Sequence, residues 1–189
     1  MTDLEVLDTK KVKLDLGCGN NKQPGFVGVD ITKDGTQADV EHDLMRHFPW
    51  PFEDSSVDEI FSSHWFEHIP QMNRPKVMDE MYRILKVGGT VKSVTPYAWS
   101  HRAIQDFTHQ WPPICAETYL YFNKDWRARN KLEHWVYDMK CDFEVLSCNY
   151  YLNESMIERE EFKKDEQKEL ASRININFVD DMVMVLKKR

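Results

Sequence analysis

The sequence predicts an α/β domain, and three observations carry that prediction. A β-prone run at residues 12–16 delivers the turn Gly17-Cys18-Gly19, residues 57–95 read as strand, helix and strand, and two further β-prone runs close the chain. Strand–helix–strand is the unit from which parallel sheets are built, through right-handed crossovers. With 189 residues there is chain enough for one domain, taken as 1–189, and its core.

Each element has a local reason. The first strand, 12–16, is followed by a polar loop at 20–25 that holds Pro24 and Gly25, and a second strand follows at 26–31. A weaker strand is predicted at 38–40. The turn-like run 53–56 leads into a strong strand at 57–62. Residues 73–87 carry Val77, Met78, Met81, Tyr82 and Leu85 at helical spacing, with Asn73 as the expected N-cap, an early Pro75, and Gly88-Gly89 as the expected stop. A strand at 90–95 ends at Pro96. Residues 97–137 then hold ten aromatic side chains, a density that suits a lid and acceptor pocket or plain core packing. The runs 143–151 and 177–187 are predicted to be closing strands. Between them the densely charged stretch 154–173 reads as a solvated helical insertion.

Composition removes several classes of function. Twenty-five Lys and Arg stand against 32 Asp and Glu, a net charge of −7. A nucleic-acid partner is therefore not expected, because phosphate binding needs positive charge. No apolar run is long enough to span a bilayer, and residues 1–13 show no basic patch followed by an apolar stretch, so a cytoplasmic location is expected. Cys18, Cys115, Cys141 and Cys148 lack a C-x-x-C pair and read as free thiols, mostly buried.

The glycine turn is the informative motif. A strand that ends in Gly-x-Gly lets a ligand approach the backbone, and an acid ending the next strand, Asp30, can bind both hydroxyls of a ribose. A dinucleotide site would want a third glycine where Lys22 stands and an acid about 20 residues on, whereas Asp30 lies 11 residues after Gly19. A nucleoside fits; NAD and FAD do not.

These residues resemble the class I S-adenosylmethionine-dependent methyltransferases, in particular a compact, type-11-like subgroup. Residues 14–19 match that family's first motif, and Asp30 stands where the family binds ribose. Val40-Glu41-His42-Asp43-Leu44, the lead-in 51–58, the post-strand run 62–69 and the helix and turn 80–89 follow in the family's order. The resemblance implies a doubly wound, mostly parallel seven-stranded sheet with an antiparallel last strand, and S-adenosylmethionine as cofactor, leaving as S-adenosylhomocysteine. It implies cofactor contacts from Asp15, Gly17, Cys18, Gly19, Asn20, Lys22, Asp30, Ile31, Asp43, Leu44, His64 and Trp65. One departure stands out: a short loop replaces the helix that most of the family places after the first motif. The expectation is that Lys22, or backbone N–H groups of that loop, meets the methionine carboxylate.

Methyl transfer from a sulfonium releases a neutral leaving group, so positioning does most of the work. An acceptor that carries a proton still needs a base, and histidine or a tuned carboxylate serves near neutral pH. His64, Glu67 and His68 follow the fourth strand; His101, Asp106 and His109 follow the fifth. Gln105-Asp106-Phe107-Thr108-His109 resembles an Asp-x-Thr-His element of the subgroup, which makes His109 the expected substrate-site residue, with Asp106 orienting it and His68 as second candidate. The same residues also suit a turn that merely holds the lid together. The spacing of His64 and His68 would suit metal ligation only on a helix, and no H-E-x-x-H pattern is present, so no metal is expected. Arg127, Arg129, Lys131 and His134 form a local basic patch for an anionic acceptor or a solvated face. The predicted activity is methyl transfer to a small polar acceptor, with a non-catalytic cofactor-binding partner protein and a nucleic-acid methyltransferase as alternatives.

Overall fold

The computed structural model describes residues 11–134, 138–157, 165 and 177–189. Seven strands form one sheet: β1 (Lys13–Leu16), β2 (Val27–Asp30), β3 (Val40–Glu41), β4 (Val57–Ser63), β5 (Leu85–Pro96), β6 (Phe143–Leu152) and β7 (Val179–Lys188). Their order is β3-β2-β1-β4-β5-β7-β6. The first five run parallel, and β7 is antiparallel to both β5 and β6. This is the doubly wound architecture expected. Because the order reverses direction at β1, the carboxyl ends of β1 and β4 flank a switch point, where open α/β sheets bind ligands.

The helix α1 (Arg74–Ile84) makes the crossover from β4 to β5. Its residues Val77, Met78, Met81 and Ile84 are buried, one apolar stripe at helical spacing that packs with Leu14, Leu16, Ile60 and Leu85 in a continuous core. The helix is shorter than the predicted 73–87. Leu85 pairs with Val57 across the sheet, so burial in the strand ladder ends the helix before the glycines, and Gly88-Gly89 lies within β5. Asn73 does not cap the helix with its side chain either; its Nδ2 donates to the Met45 carbonyl at 3.1 Å, and a 3-10 turn at Gln71–Asn73 leads into the helix instead.

Between β5 and β6 the chain forms three short helices, α2 (His101–Gln105), α3 (Ala116–Leu120) and α4 (Lys124–Arg129). Part of the aromatic segment packs in the core and part is exposed. Tyr119 and Phe122 are buried against Phe66, and the Tyr119 hydroxyl donates to Ser93 Oγ at 2.9 Å, whereas Trp99, Phe107 and Trp111 are exposed. Trp135 and Tyr137 lie outside the described residues. So does most of the charged insertion predicted at 154–173, of which α5 (Glu154–Ile157) is the described start. Arg127 does not belong to the expected basic patch: it is buried, and its guanidinium donates to the carbonyls of Tyr121 and Cys141, whereas Arg129, Lys131 and His134 are exposed.

Candidate functional site

The carboxyl ends of β1 and β2 build one wall. Gly17 and Gly19 take positive φ, +68° and +49°, which turns the chain sharply out of β1. The Gly19 amide donates to Asp30 Oδ2 at 2.8 Å and the Ile31 amide to Asp30 Oδ1 at 2.7 Å, so Asp30 ties the turn to the end of β2. Each carboxylate oxygen keeps a second lone pair for a ligand hydroxyl. Gly17, Asp30, Ile31, His42, Asp43, Leu44, Met45, Trp65 and His68 line a cavity of about 210 Å³ here. At Gly17 the crowding comes from the protein itself, since an added Cβ would stand 2.3 Å from the Trp65 ring. At Gly19 it would meet nothing within 4 Å, so the backbone angle alone asks for glycine there.

Six of the twelve expected cofactor residues line this cavity: Gly17, Asp30, Ile31, Asp43, Leu44 and Trp65. Asp43 also holds its own turn, accepting the amides of Met45 and Arg46. The others are placed differently. Asp15 lies buried beneath the turn, where its Oδ2 accepts the Gln23 amide at 2.7 Å and so shapes the shortened loop. Cys18 is buried, its sulfur against Gly28, and Asn20 is exposed on the loop. Lys22 stands off the cavity: its ammonium is held by Asp39 at 2.9 Å, an ion pair between the loop and the approach to β3. His64 faces a second cavity. His42 and Met45 were not singled out by sequence, although they flank the Asp43-Leu44 pair that was.

Burial pushes the Asp15 carboxyl up to about 6 from 3.8, with the Gln23 amide pulling against it and the charge of Asp30 adding to it. Folding therefore takes up a proton between those two values, and this group's contribution to stability falls as the pH rises through that window. Asp15→Asn, which keeps an acceptor for the Gln23 amide, is expected to melt above the wild type at neutral pH and to lose that advantage below pH 3.8. An advantage unchanged by pH in thermal melts would contradict this reading of Asp15.

The second cavity, about 250 Å³, is lined by His64, Glu67, His68, Pro96, Arg102, Gln105, Asp106 and His109. It brings together the loop after β4 and the segment after β5, and His68 borders both cavities. His64 sits directly after β4 at φ +52°, unusual for a residue with a Cβ. Its ring lies 3.4 Å from Glu67 and 3.7 Å from Asp181, and these carboxylates hold the imidazole above its ordinary pKa. Asp181, on β7, pairs with Arg102 at 3.2 Å.

The Asp106-x-Thr108-His109 element is ordered by its own hydrogen bonds. Asp106 Oδ1 accepts from the Thr108 hydroxyl at 2.6 Å and from the Thr108 amide at 2.8 Å, which holds the Asp106 carboxyl below the usual range. With its proton directed at Asp106, the Thr108 hydroxyl accepts from His68 Nδ1, 3.1 Å away. His109 Nδ1 donates to the Ala103 carbonyl at 3.2 Å. In the neutral ring each of these hydrogen bonds puts the proton on Nδ1 and the lone pair on Nε2, and the two rings meet edge to face at 4.8 Å between centroids. His68, Asp106 and His109, predicted from two distant stretches, stand in one cluster.

Arg74, Arg102 and Asp181 were missed. Arg74 is buried at the start of α1 and donates to the carbonyls of Ile69, Gln110 and Pro112, which fixes the 106–112 loop against the turn after β4. A cation at a helix N-terminus opposes the helix dipole, which is the one signal the sequence offered that Arg74 has another task. Asp181 lies in a closing strand with nothing local to mark it.

Sheet order, glycine turn and switch-point cavity define a Rossmann-like class I methyltransferase fold. Residues 14–92 match the family model Methyltransf_11, described as a methyltransferase domain. The segment 14–92 therefore carries a methyltransferase domain of that kind. An S-adenosylmethionine-dependent methyltransferase from Archaeoglobus fulgidus is similar over 95% of this chain and 87% of its own, at 18% identity and a TM-score of 0.63. Another, from Methanosarcina mazei, covers 95% and 93%, at 16% identity and a TM-score of 0.55. The cyclase SpnF has the same fold, at 14% identity, a TM-score of 0.51 and coverage of 97% and 77%. At such identities these likenesses establish the fold alone. No curated protein matches the sequence. Among the described residues, no helix is long and apolar enough to cross a membrane.

Proposed function

We propose that this chain transfers a methyl group to a small polar acceptor by in-line displacement, with the acceptor in the polar cavity beside the cofactor cavity. The observation that supports this reading is the border the two cavities share at His68. In the cofactor cavity, Asp30 offers carboxylate lone pairs to ribose hydroxyls, and Leu44 and Ile31 offer apolar surface to adenine. When bound, the cofactor supplies a methyl group on a positively charged sulfur that leaves as a neutral thioether. The polar cavity is small and lined by charged and imidazole groups, which suits a small acceptor with several polar atoms and not an extended polymer. His68 and His109 line that cavity beside the acceptor. Asp106 is a positioning residue that acts on His68 through Thr108.

The test is an assay with donor labelled in the methyl group, offered pools of small hydroxy acids, amines and phosphorylated compounds, with total RNA in a parallel arm. Label in a small molecule is the expected result. Label confined to RNA would support the nucleic-acid reading, and cofactor binding with no transfer at all would support the non-catalytic one.

A further inference from the structure

Around His68 and His109 the polar cavity brings Glu67 and two imidazoles close together, with His64 and Arg102 on its other side. Glu67 is 4% exposed, and neither of its carboxylate oxygens has a hydrogen-bond partner among the described residues; its contact with the His64 ring, at 3.4 Å, lacks hydrogen-bond geometry. His64 therefore balances the Glu67 charge without filling its acceptor positions, and a buried carboxylate with free lone pairs is a group that can also coordinate a metal. With each Nδ1–H engaged by Thr108 or by the Ala103 carbonyl, Nε2 is the atom of each neutral ring that can bind a metal. One ligand atom from each of Glu67, His68 and His109 lies within 4.8 Å of the others.

We propose that Glu67, His68 and His109 form a binding site for one first-row divalent cation, with open coordination positions facing the acceptor cavity. Two neutral imidazoles and one carboxylate, with room for a fourth ligand, are a donor set that zinc and its neighbours take in catalytic sites. Imidazole lone pairs select such an ion over magnesium, which prefers oxygen. The outer partners are in place as well. A metal-bound histidine donates its other ring N–H to a carbonyl or, as His68 does through Thr108, toward a carboxylate. Asp106 Oδ2 lies 3.8 Å from His109 Nε2, a further negative charge beside the site.

Separations of up to 4.8 Å are wider than the roughly 3.4 Å between ligands on a tetrahedral ion with bonds of about 2.1 Å. The ion therefore draws the 106–109 loop toward the turn Phe66–His68 by about 1 Å, a movement that exposed loop residues allow. The site rests on the reading of this cavity as the acceptor's and narrows it. An acceptor hydroxyl or carboxylate oxygen on the open positions is bound directly, and a coordinated hydroxyl is acidified, so its proton leaves to solvent and neither imidazole has to take it. This favours oxygen acceptors over amines. The spacing of His64 and His68 did not show the site, because its second histidine and its fixed tautomers come from a distant loop.

The experiment is a Co²⁺ titration of the full-length protein, first dialysed against chelator, followed by visible absorption with and without S-adenosylhomocysteine. Expected are ligand-field bands that saturate at one equivalent, are abolished by Zn²⁺ and survive excess Mg²⁺. His109→Ala and Glu67→Gln should each weaken Co²⁺ binding at least tenfold, and Thr108→Val, which leaves all three ligands in place, about 10- to 100-fold. His101→Ala, outside the cluster, should bind as the wild type does. Since Glu67 is buried, His109→Ala and Thr108→Val decide the outcome if Glu67→Gln does not fold. No saturable bands, or bands indifferent to His109→Ala, would overturn the site. Cobalt binding does not depend on turnover, so failure to find a small acceptor leaves this result standing, and the reverse also holds.

Discussion

Gly17→Ala is expected to lower the melting temperature by about 10 °C and to weaken S-adenosylhomocysteine binding sharply, while Gly19→Ala shifts the melt by only a few degrees. Both residues have positive φ, so both substitutions carry a left-handed backbone cost of about 1–2 kcal/mol. Only at Gly17 would the new methyl enter occupied space, 2.3 Å from Cδ1 and Cγ of Trp65. Overpacking of that kind adds about 1–3 kcal/mol. Trp65 is buried, lines the cofactor cavity and precedes the turn that carries Glu67 and His68, so its displacement reaches ligand binding as well as the core. Thermal melts and calorimetry on the two variants check this. Equal effects at Gly17 and Gly19 would show that the backbone angle, and not the Trp65 contact, is what the first glycine serves.

Arg74→Leu is expected to cost about 3 kcal/mol of stability, a fall of roughly 6–12 °C in a chain of this size, from three charge-assisted hydrogen bonds lost in a buried place. The carbonyls of Ile69, Gln110 and Pro112 lose their shared donor together. Two of the three belong to the loop that carries Thr108 and His109, so the acceptor cavity should loosen while the β1–β2 wall keeps its own hydrogen bonds. The expected pattern in the variant is near-normal S-adenosylhomocysteine affinity with lost transfer and lost Co²⁺ binding. Hydrogen exchange at 106–112 no faster than in the wild type would contradict the role given to Arg74.

What could be read from the sequence followed from how local each feature is. The strands were legible because each is a short apolar run bounded by turn residues, and the wall formed by Gly17, Asp30, Asp43 and Leu44 because a strand, a turn and the next strand fix it within 30 residues. The end of α1 was misplaced because Leu85 serves the helical pattern equally well as a core residue of β5, and only its pairing with Val57 decides. The partners of Lys22 and Arg127 were not legible, because Asp39 and the Tyr121 and Cys141 carbonyls reach them only through the folded chain. The acceptor half was legible residue by residue but not as a site. His68 meets Thr108 and His109, and His64 meets Asp181, only through the strand order, and the hydrogen bonds that set the imidazole tautomers have no trace in spacing.

Central to the proposed function is that Asp30 and the glycine turn hold the nucleoside end of S-adenosylmethionine. Calorimetric titration of the wild type and of Asp30→Ala with S-adenosylhomocysteine, with NAD as control ligand, tests it most directly. Saturable binding to the wild type is expected, with no binding of NAD and an affinity about 10- to 150-fold weaker in the variant, equivalent to about 1.5–3 kcal/mol for lost hydrogen bonds to a charged group. An unchanged dissociation constant in Asp30→Ala would contradict the assignment of Asp30, and no heat from the wild type would contradict the cofactor site itself.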